Sequence, residues 1–409
     1  MEEVEKVVIV GAGVSGLATA LGLHRQGIRS LVLESSESLR SAGFAILTWP
    51  NAWRALDALG VADSLRRTHI QLQGLVMNSA TSGAVITEQS FTGEEQCMKR
   101  EVRSLKRIHL LEALAMDLPP GTIRYSSRVV HIEEFGKLML LHLADGSTLK
   151  TEILIGSDGV NSVVAKWLGL RPPSFSGRSA CRGLIDCPPQ TPIFDRRMIK
   201  YFFGEGFRAG ISYCDNETLY WFFTWSPSNR AEIEAEGNTQ QMRDLMLSKL
   251  KSSKFPEEVI GSIEKNDMSA GLVSAPLRFR WPFDLLSGRI CKDNVCVVGD
   301  ALHPMTPDLG QGGCSALEDA VVLTRCLDEA LAGGGKKTQD EKFVKIKDGM
   351  KKFANERRWR SFTLIAFSYL LGQIEEKNGL LMRFLREKLL SGFIAWMQLR
   401  ITEFDCGKL

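Results

Sequence analysis

Three glycines spaced Gly11-x-Gly13-x-x-Gly16 stand between an apolar run, Val7-Val8-Ile9-Val10, and a helical pattern from Val14 to Gln26 that stops at Gly27. At the junction of a buried strand and a helix these glycines have separate tasks. The first permits the tight turn, the second lets backbone approach a pyrophosphate, and the third packs helix against strand. The helix N-terminus then offers unpaired N–H groups and the positive end of its dipole to phosphates. The next apolar run, Ser30 to Leu33, ends at Glu34, 18 residues after Gly16. A carboxylate there accepts hydrogen bonds from both ribose hydroxyls of an AMP moiety and disfavours a 2′-phosphate, so FAD or NAD fits and NADP fits poorly. The glycine pattern alone is a weak signal; the strand, the helix and the acid around it make it specific.

A second motif, Gly299-Asp300-Ala301-x-His303-Pro304-x-x-Pro307-x-x-Gly310-Gln311-Gly312, follows the buried-strand pattern Val295 to Val298. An acid there can hydrogen-bond a polyol, and a glycine turn opening a helix presents N–H groups to an anion. FAD carries a ribityl chain and a nicotinamide dinucleotide does not. A third segment, Gly156-Ser157-Asp158-Gly159, opens from the strand Glu152 to Ile155. Plainer readings compete at each place. Asp158-Gly159 can be a simple turn. His303, constrained by Pro304 and the glycine turn, reads as a structural hydrogen-bonder rather than a base. Arg107 alone is by default a solvated helix charge. Glu356-Arg357-Arg358 reads as a salt-bridged helix face, and the Phe and Trp residues between 201 and 225 as sheet core rather than a substrate cage.

Together these motifs resemble the single-component FAD aromatic hydroxylases, a group that includes p-hydroxybenzoate and salicylate hydroxylases. The chain looks closest to plant-type members described as 3-hydroxybenzoate 6-hydroxylase-like or zeaxanthin-epoxidase-like. The resemblance runs in order through Gly11 to Glu34, the Arg107 segment, Asp158-Gly159, Gly299 to Ala320 and Glu356-Arg357-Arg358. It implies that Gly11, Gly13, Val14, Ser15 and Gly16 bind the FAD pyrophosphate and that Glu34 and Ser35 hold the AMP ribose. Arg40, Ala45, Arg107 and Val129 would be further FAD contacts. Asp158 would serve FAD and the transient NADPH or NADH. Gly299 and Asp300 would hold the ribityl chain, and Pro307 with Gly310, Gln311, Gly312 and Gly313 would line the isoalloxazine. Pro307 and Tyr213 are the candidates at the reaction centre.

The implied reaction uses NAD(P)H and O2, passes through a C4a-hydroperoxyflavin, and hydroxylates a small phenolic or benzoate-like substrate. An epoxidase or reductase of the same fold, and a non-catalytic binding protein of that fold, are the alternatives. Two departures from the family pattern stand out. Ala165 replaces the arginine of Asp-Gly-x-x-Ser-x-Val-Arg, and Gly43-Phe44-Ala45-Ile46 replaces Gly-x-Gly-Ile. Residues 171–290 contain no histidine, so a base for phenol deprotonation would have to be Tyr201, Tyr213, Cys214 or a water relay.

The elements that position these residues follow from pattern. Asn51 to Leu59 and Arg103 to Leu118 read as helices; Leu72 to Ile86 and Arg124 to Leu149 alternate and read as antiparallel strands. From Arg171 prolines cluster and aromatic runs follow, Tyr201 to Phe203 and Leu219 to Trp225, with helices near Gln240 to Ser252 and Pro256 to Ile263. The expected class is α/β: a Rossmann-type, GR2-like FAD-binding domain with an inserted α+β substrate domain and a C-terminal helical segment. The FAD-binding domain takes 1–75, 101–170 and 286–330; the substrate-binding β-sheet domain takes 76–100 and 171–285; helices fill 331–409.

A chain of 409 residues, 44% apolar and 24% charged, can bury a large core. Its net charge of +3 gives no reason to expect nucleic acid or an acidic surface as partner. Nine scattered cysteines and six histidines show no metal spacing, and the cysteines read as reduced thiols. The apolar run Phe362 to Gly372 is too short to span a bilayer. Leu380 to Arg400 reads as an amphipathic helix packed on the body rather than one on a membrane surface. No signal or transit peptide is visible, which points to the cytoplasm while leaving an organelle address or peripheral attachment open. A small aromatic substrate and O2 are the expected partners of a monomer or homodimer.

Overall fold

The structure is a computed structural model that describes residues 4–39, 44–91, 100–187, 190, 193–227, 239–265, 273–332, 338–376 and 400–409. Its elements in chain order begin with β1 (Val4–Val10), α1 (Val14–Arg25), β2 (Leu31–Leu33), β3 (Ala45–Thr48), α2 (Pro50–Leu59), α3 (Ala62–Thr68), β4 (Gly74–Ser79), β5 (Val85–Ser90), β6 (Arg103–Lys106) and α4 (Arg107–Met116). Next come β7 (Ile123–Arg124), β8 (Val129–Phe135), β9 (Leu138–Leu143), β10 (Thr148–Gly156), α5 (Val163–Trp167), β11 (Ser174–Asp186), β12 (Met198–Phe203), β13 (Phe207–Tyr213) and β14 (Thr218–Trp225). The remainder holds α6 (Thr239–Lys251), α7 (Glu257–Lys265), β15 (Val273–Phe279), α8 (Asp284–Ser287), β16 (Cys291–Lys292), β17 (Val295–Val297), α9 (Gly312–Leu331) and α10 (Gln339–Glu376).

The continuous apolar runs Val7–Val10, Ile153–Ile155 and Val295–Val297 are covered on both faces, as parallel strands require. They pair side by side in the order β16-β17-β10-β1-β2-β7, with the β8–β9 hairpin attached through β9 to β10. The β1–α1–β2 unit therefore sits at the centre of this sheet, with Val8, Ile9 and Val10 in parallel register with Leu31, Val32 and Leu33. A right-handed strand–helix–strand crossover places the N-terminus of α1 at the carboxyl edge of the sheet. Helix α9 packs on α1 and α10 packs on α9.

The second sheet has seven strands in the order β15-β11-β14-β13-β12-β4-β5. One face packs on α6 and α7 through Trp221, Phe223, Met242, Met246 and Val259. A small β3–β6 ribbon lies between the two layers in sequence and ends at the start of α4.

Some expectations change. Arg103 to Leu118 does not form one helix: Arg103–Lys106 pairs antiparallel with β3, with Lys106 opposite Ala45, and the helix starts only at Arg107. The local helical pattern gave way to ribbon pairing. The Leu72–Ile86 stretch does hold an antiparallel pair, β4 with β5, but β4 also pairs parallel with β12, a long-range contact that periodicity does not encode. Likewise β7 joins the central sheet parallel to β2. The eight described cysteines are unpaired. Among the described residues no helix is long and apolar enough to cross a membrane. Arg40, Gly43 and nearly all of the Leu380–Arg400 stretch lie outside the described residues.

Candidate functional site

The glycine turn after β1 is shaped by steric necessity. Gly11 has φ +103°, and a Cβ there would sit 2.6 Å from the Ser157 carbonyl oxygen. A Cβ on Gly16 would collide with the Gly11 carbonyl, so the helix reaches its close approach to the strand only with glycine. Gly13, the N-cap of α1, has open space where a Cβ would be and no side chain capping the first turn. The first N–H groups of the helix thus face the cavity unpartnered by a cap, as an anion site requires. Glu34 at the end of β2 is held in place by N–H donors from Ala12 and Ser36, both 2.8 Å from its carboxylate.

The second motif meets the first across the sheet edge. Asp300 borders the same cavity as Gly11 and Glu34. Burial pushes its carboxyl above the usual range, against the pull of His303, Arg182 and Arg107. Beneath it lies a buried polar network. Asp319 on α9 accepts from the Gly299 N–H (2.7 Å), bonds His303 Nε2 (2.7 Å) and accepts from Arg357 Nε (2.6 Å). Arg357, fully buried on α10, also pairs with Glu318 at 2.7 Å, and Arg360 reaches the same carboxylate at 2.7 Å. Burial alone would raise both acids, but the facing cations outweigh it and hold Glu318 and Asp319 below the usual range.

A continuous cavity of about 1020 Å³ joins the nucleotide turns to one face of the seven-stranded sheet. Strand parity decides which residues face it. On β13 and β14, Arg208, Tyr220, Phe222 and Thr224 border the cavity, while Phe207, Ala209, Ile211, Tyr213, Trp221, Phe223 and Trp225 fill the opposite core. Tyr201 from β12 joins the cavity side, edge-on to Phe222 at 5.6 Å. Arg208 lies 5.1 Å from the Phe222 ring and 3.2 Å from Asp308, and also pairs with Glu375 of α10. Asp308 in turn is gripped by Arg178 through two bonds of 2.8 Å. Phe44 stands between two guanidinium groups, Arg182 at 4.7 Å and Arg107 at 5.5 Å from its ring centre.

These features converge on one ligand. The cavity is roughly at the upper end of small-molecule sites, and its polar groups, the N–H donors of α1 and then the carboxyl groups of Glu34 and Asp300, suit in turn a phosphate, a ribose and a polyol. The chain matches the FAD binding domain family over residues 5–344. It is 47% identical over 408 residues to Monooxygenase 2 of Arabidopsis thaliana, covering 98% of each chain. It is 34% identical to Monooxygenase 1 of the same plant, covering 100% of each. This chain belongs to the FAD binding domain family. Its fold is that of Klebsiella pneumoniae HpxO complexed with FAD and uric acid, with a TM-score of 0.81 at 23% identity, covering 97% of this chain and 96% of that one. A similar match, TM-score 0.76 at 19% identity over 99% of this chain and 97% of that one, is the tetrameric 2-methyl-3-hydroxypyridine-5-carboxylic acid oxygenase.

As an FAD-binding monooxygenase family member, the chain brings most expected cofactor residues to the cavity. Gly11, Gly13, Val14, Ser15, Glu34, Ser35, Ala45, Arg107, Val129, Asp158, Asp300, Pro307, Gly310, Gly312 and Gly313 all border it. Gly16 and Gly299 stand behind the lining, where their missing side chains permit close packing. Gln311 turns away: its side-chain oxygen accepts from Asn51 at 2.8 Å. Asp158 borders the cavity, and both its oxygens are engaged locally, one accepting from Ser162 Oγ (2.5 Å) and the other from the Val163 N–H (2.7 Å), so it also shapes the turn that opens α5.

Tyr213 does not reach the site. Its strand parity sends it into the opposite core, where its hydroxyl accepts the Ile193 N–H at 3.0 Å. Cys214 is also away from the cavity, beside Ser104, and burial pushes its thiol up to about 12. The aromatic run between 201 and 225 divides between core and cavity. Sequence reasoning missed Asp308, Arg178, Arg208 and Glu375; the one available signal was Arg208 inside the largely apolar strand β13.

Proposed function

We propose that this protein uses NAD(P)H and O2 with FAD to hydroxylate a small, electron-rich aromatic substrate of the phenolic or benzoate-like class. What supports this reading above all is the continuity of the nucleotide turns with a sheet face carrying Tyr201, Tyr220, Phe222 and Arg208. Bound FAD supplies the redox chemistry, accepting electrons from the nicotinamide and activating oxygen.

The chain's own residues do the rest. The first turn of α1 and Glu34 anchor the nucleotide end, and Asp300 anchors the polyol. The N-terminus of α9, with no side-chain cap on its first turn, directs its positive end at the site and favours negative charge on the ring held there. Tyr201, Tyr220 and Phe222 grip a flat ring by edge and face contacts. Arg208 offers charge-assisted hydrogen bonds, its orientation fixed by Asp308 and Glu375. Burial pushes Tyr201 up to about 12, so at neutral pH it is a donor and not a base. Stabilisation of a phenolate then falls to the cationic Arg208 and Arg182. The inserted sheet, which begins with β4 at Gly74, is the substrate layer in this reading, and α10 braces it through the Glu375–Arg208 pair.

The test is a screen of phenols, benzoates, indoles and polyenes with the purified flavin-loaded protein. Faster NAD(P)H oxidation with a product heavier by one oxygen atom is expected for an aromatic. Oxidation of NAD(P)H with no oxygenated product would indicate a reductase; oxygen added across a polyene double bond would indicate an epoxidase.

A further inference from the structure

Large aromatic side chains normally find cover, yet five apolar residues on one side of this molecule do not. Trp281 is 47% exposed, Phe283 69%, Leu286 41%, Trp359 62% and Leu370 54%. The aromatic members pair off across the α8 turn and α10. Phe283 meets Phe362 at 5.4 Å, Phe362 meets Trp359 at 5.6 Å, and Trp281 meets Tyr369 at 5.7 Å. On α10 the positions 359, 362, 366, 369 and 370 repeat at helical spacing, so they make a stripe along one face. The turn around α8 extends that stripe sideways. A contiguous apolar patch of this kind marks a contact surface rather than scattered exposure.

The charge around the patch is one-sided. Arg171 has an 81% exposed side chain beside Asp284, and Arg278 and Arg289 are exposed on the flanking segments. Asp284 lies 3.3 Å from Arg171 and offsets that charge, and Glu356 is engaged by Arg325 at 2.7 Å, so the excess rests on Arg278 and Arg289. The whole-chain charge of +3 conceals this local excess.

We propose that this face docks on an anionic lipid bilayer surface, with Trp281, Phe283 and Trp359 seated at headgroup depth and the arginines against lipid phosphates and carboxylates. The aromatics cluster edge to face across a loop and a helix and do not line the cavity, an exposed amphipathic arrangement that suits the headgroup region. A second copy of the chain fits poorly, because a twofold contact sets each patch, with its arginines, against its own like-charged counterpart. The surface is also close to the cavity: Leu277 of β15 borders the cavity, and Phe279, two residues on, stacks on Tyr369 at 4.4 Å.

Flotation of the flavin-loaded protein with vesicles tests this, comparing phosphatidylcholine alone with phosphatidylcholine mixed with phosphatidylserine. Binding to the anionic vesicles at low salt, lost at high salt, is expected. The double variant F283S/W359S should lower partition by about tenfold or more, and R171Q and R289Q by about fivefold each. Variants are first shown to keep their flavin absorbance, since none of these residues borders the cavity. No flotation at low salt by flavin-loaded protein would overturn the proposal, as would equal binding to both vesicle types or unchanged binding by the variants. A dimer in light scattering that F283S/W359S dissolves would assign the face to a second copy, and binding to polyglutamate but not to vesicles would assign it to an acidic protein; either result overturns the bilayer.

Discussion

Arg357→Ala removes the cation at the centre of the buried network under the Asp300 turn. Arg357 is fully buried, with Nη1 2.7 Å from Glu318, Nε 2.6 Å from Asp319 and Nη2 2.8 Å from Ser315 Oγ. Glu318 would keep Arg360 and Asn51, whereas Asp319 would keep only His303 and the Gly299 N–H among the contacts described. Breaking a buried pair by removing one partner costs about 3–5 kcal/mol, because the remaining charge is left desolvated. The cost should depend on pH with a definite sign. Glu318 and Asp319 are held below their usual range in the folded state. Their contribution to stability is therefore complete above the unfolded carboxylate values and fades as pH falls through the depressed folded ones. The variant lacks that contribution, so its deficit is largest at neutral pH and shrinks in acid. Because Asp319 also fixes the Gly299 N–H, the turn carrying Asp300 loosens and FAD affinity should fall by about tenfold or more. Urea denaturation of wild type and variant from neutral pH into the acid range, with FAD titration of the apoproteins, measures both effects. A neutral-pH deficit under about 1 kcal/mol, or one that does not change with pH, would refute the reasoning.

Asp300→Ala should weaken FAD retention with the fold preserved, as seen by flavin loss on gel filtration; full occupancy would contradict its place at the ribityl chain. Tyr213→Phe should cost about 1 kcal/mol in stability through the lost Ile193 bond, with kcat/KM unchanged, since its hydroxyl does not border the cavity. Gly372→Ala places a Cβ against Arg178 Nη1 and Asp308 Oδ2; thermal unfolding should show a loss of about 3 kcal/mol or more as that buried pair is forced apart. Burial holds His69 at about 4 instead of 6.5. Its neutral form therefore favours folding above pH 6.5, and that share is lost as pH falls towards 4. His69→Gln should flatten the pH–stability slope in this window by up to roughly 3 kcal/mol.

Much of the cofactor end was readable in order along the chain because its determinants are local. A tight turn needs Gly11, a close helix needs Gly16, and the acid at the strand end, Glu34, borders the same cavity, all within one strand–helix–strand unit. The Asp300 turn was readable for the same reason. His303 was also read correctly as structural, since Pro304 and the glycine turn restrict it from within the same segment.

What lay between layers was not readable. The ribbon of Arg103–Lys106 depends on a partner about 58 residues away in register with β3, and a short amphiphilic stretch before a helix carries no mark of that pairing. Glu356-Arg357-Arg358 was read as a salt-bridged helix face; two of its residues do form ion pairs, but in different places, Glu356 with Arg325 and Arg357 with Glu318 and Asp319 in the core, while Arg358 goes to the Leu285 and Gly288 carbonyls. Whether Tyr213 or Arg208 faces the cavity was undecided by alternation, because period two fixes which residues share a face and leaves open which face is covered by helices. The sequence by itself determined the dinucleotide turns and the strand patterns that carry them, since those obey steric and hydrogen-bond rules among near neighbours. Only the tertiary structure decided which sheet face borders the cavity and assembled the Arg178–Asp308–Arg208–Glu375 cluster, since burial of a charge is tolerated only where partners from distant strands and α10 arrive together.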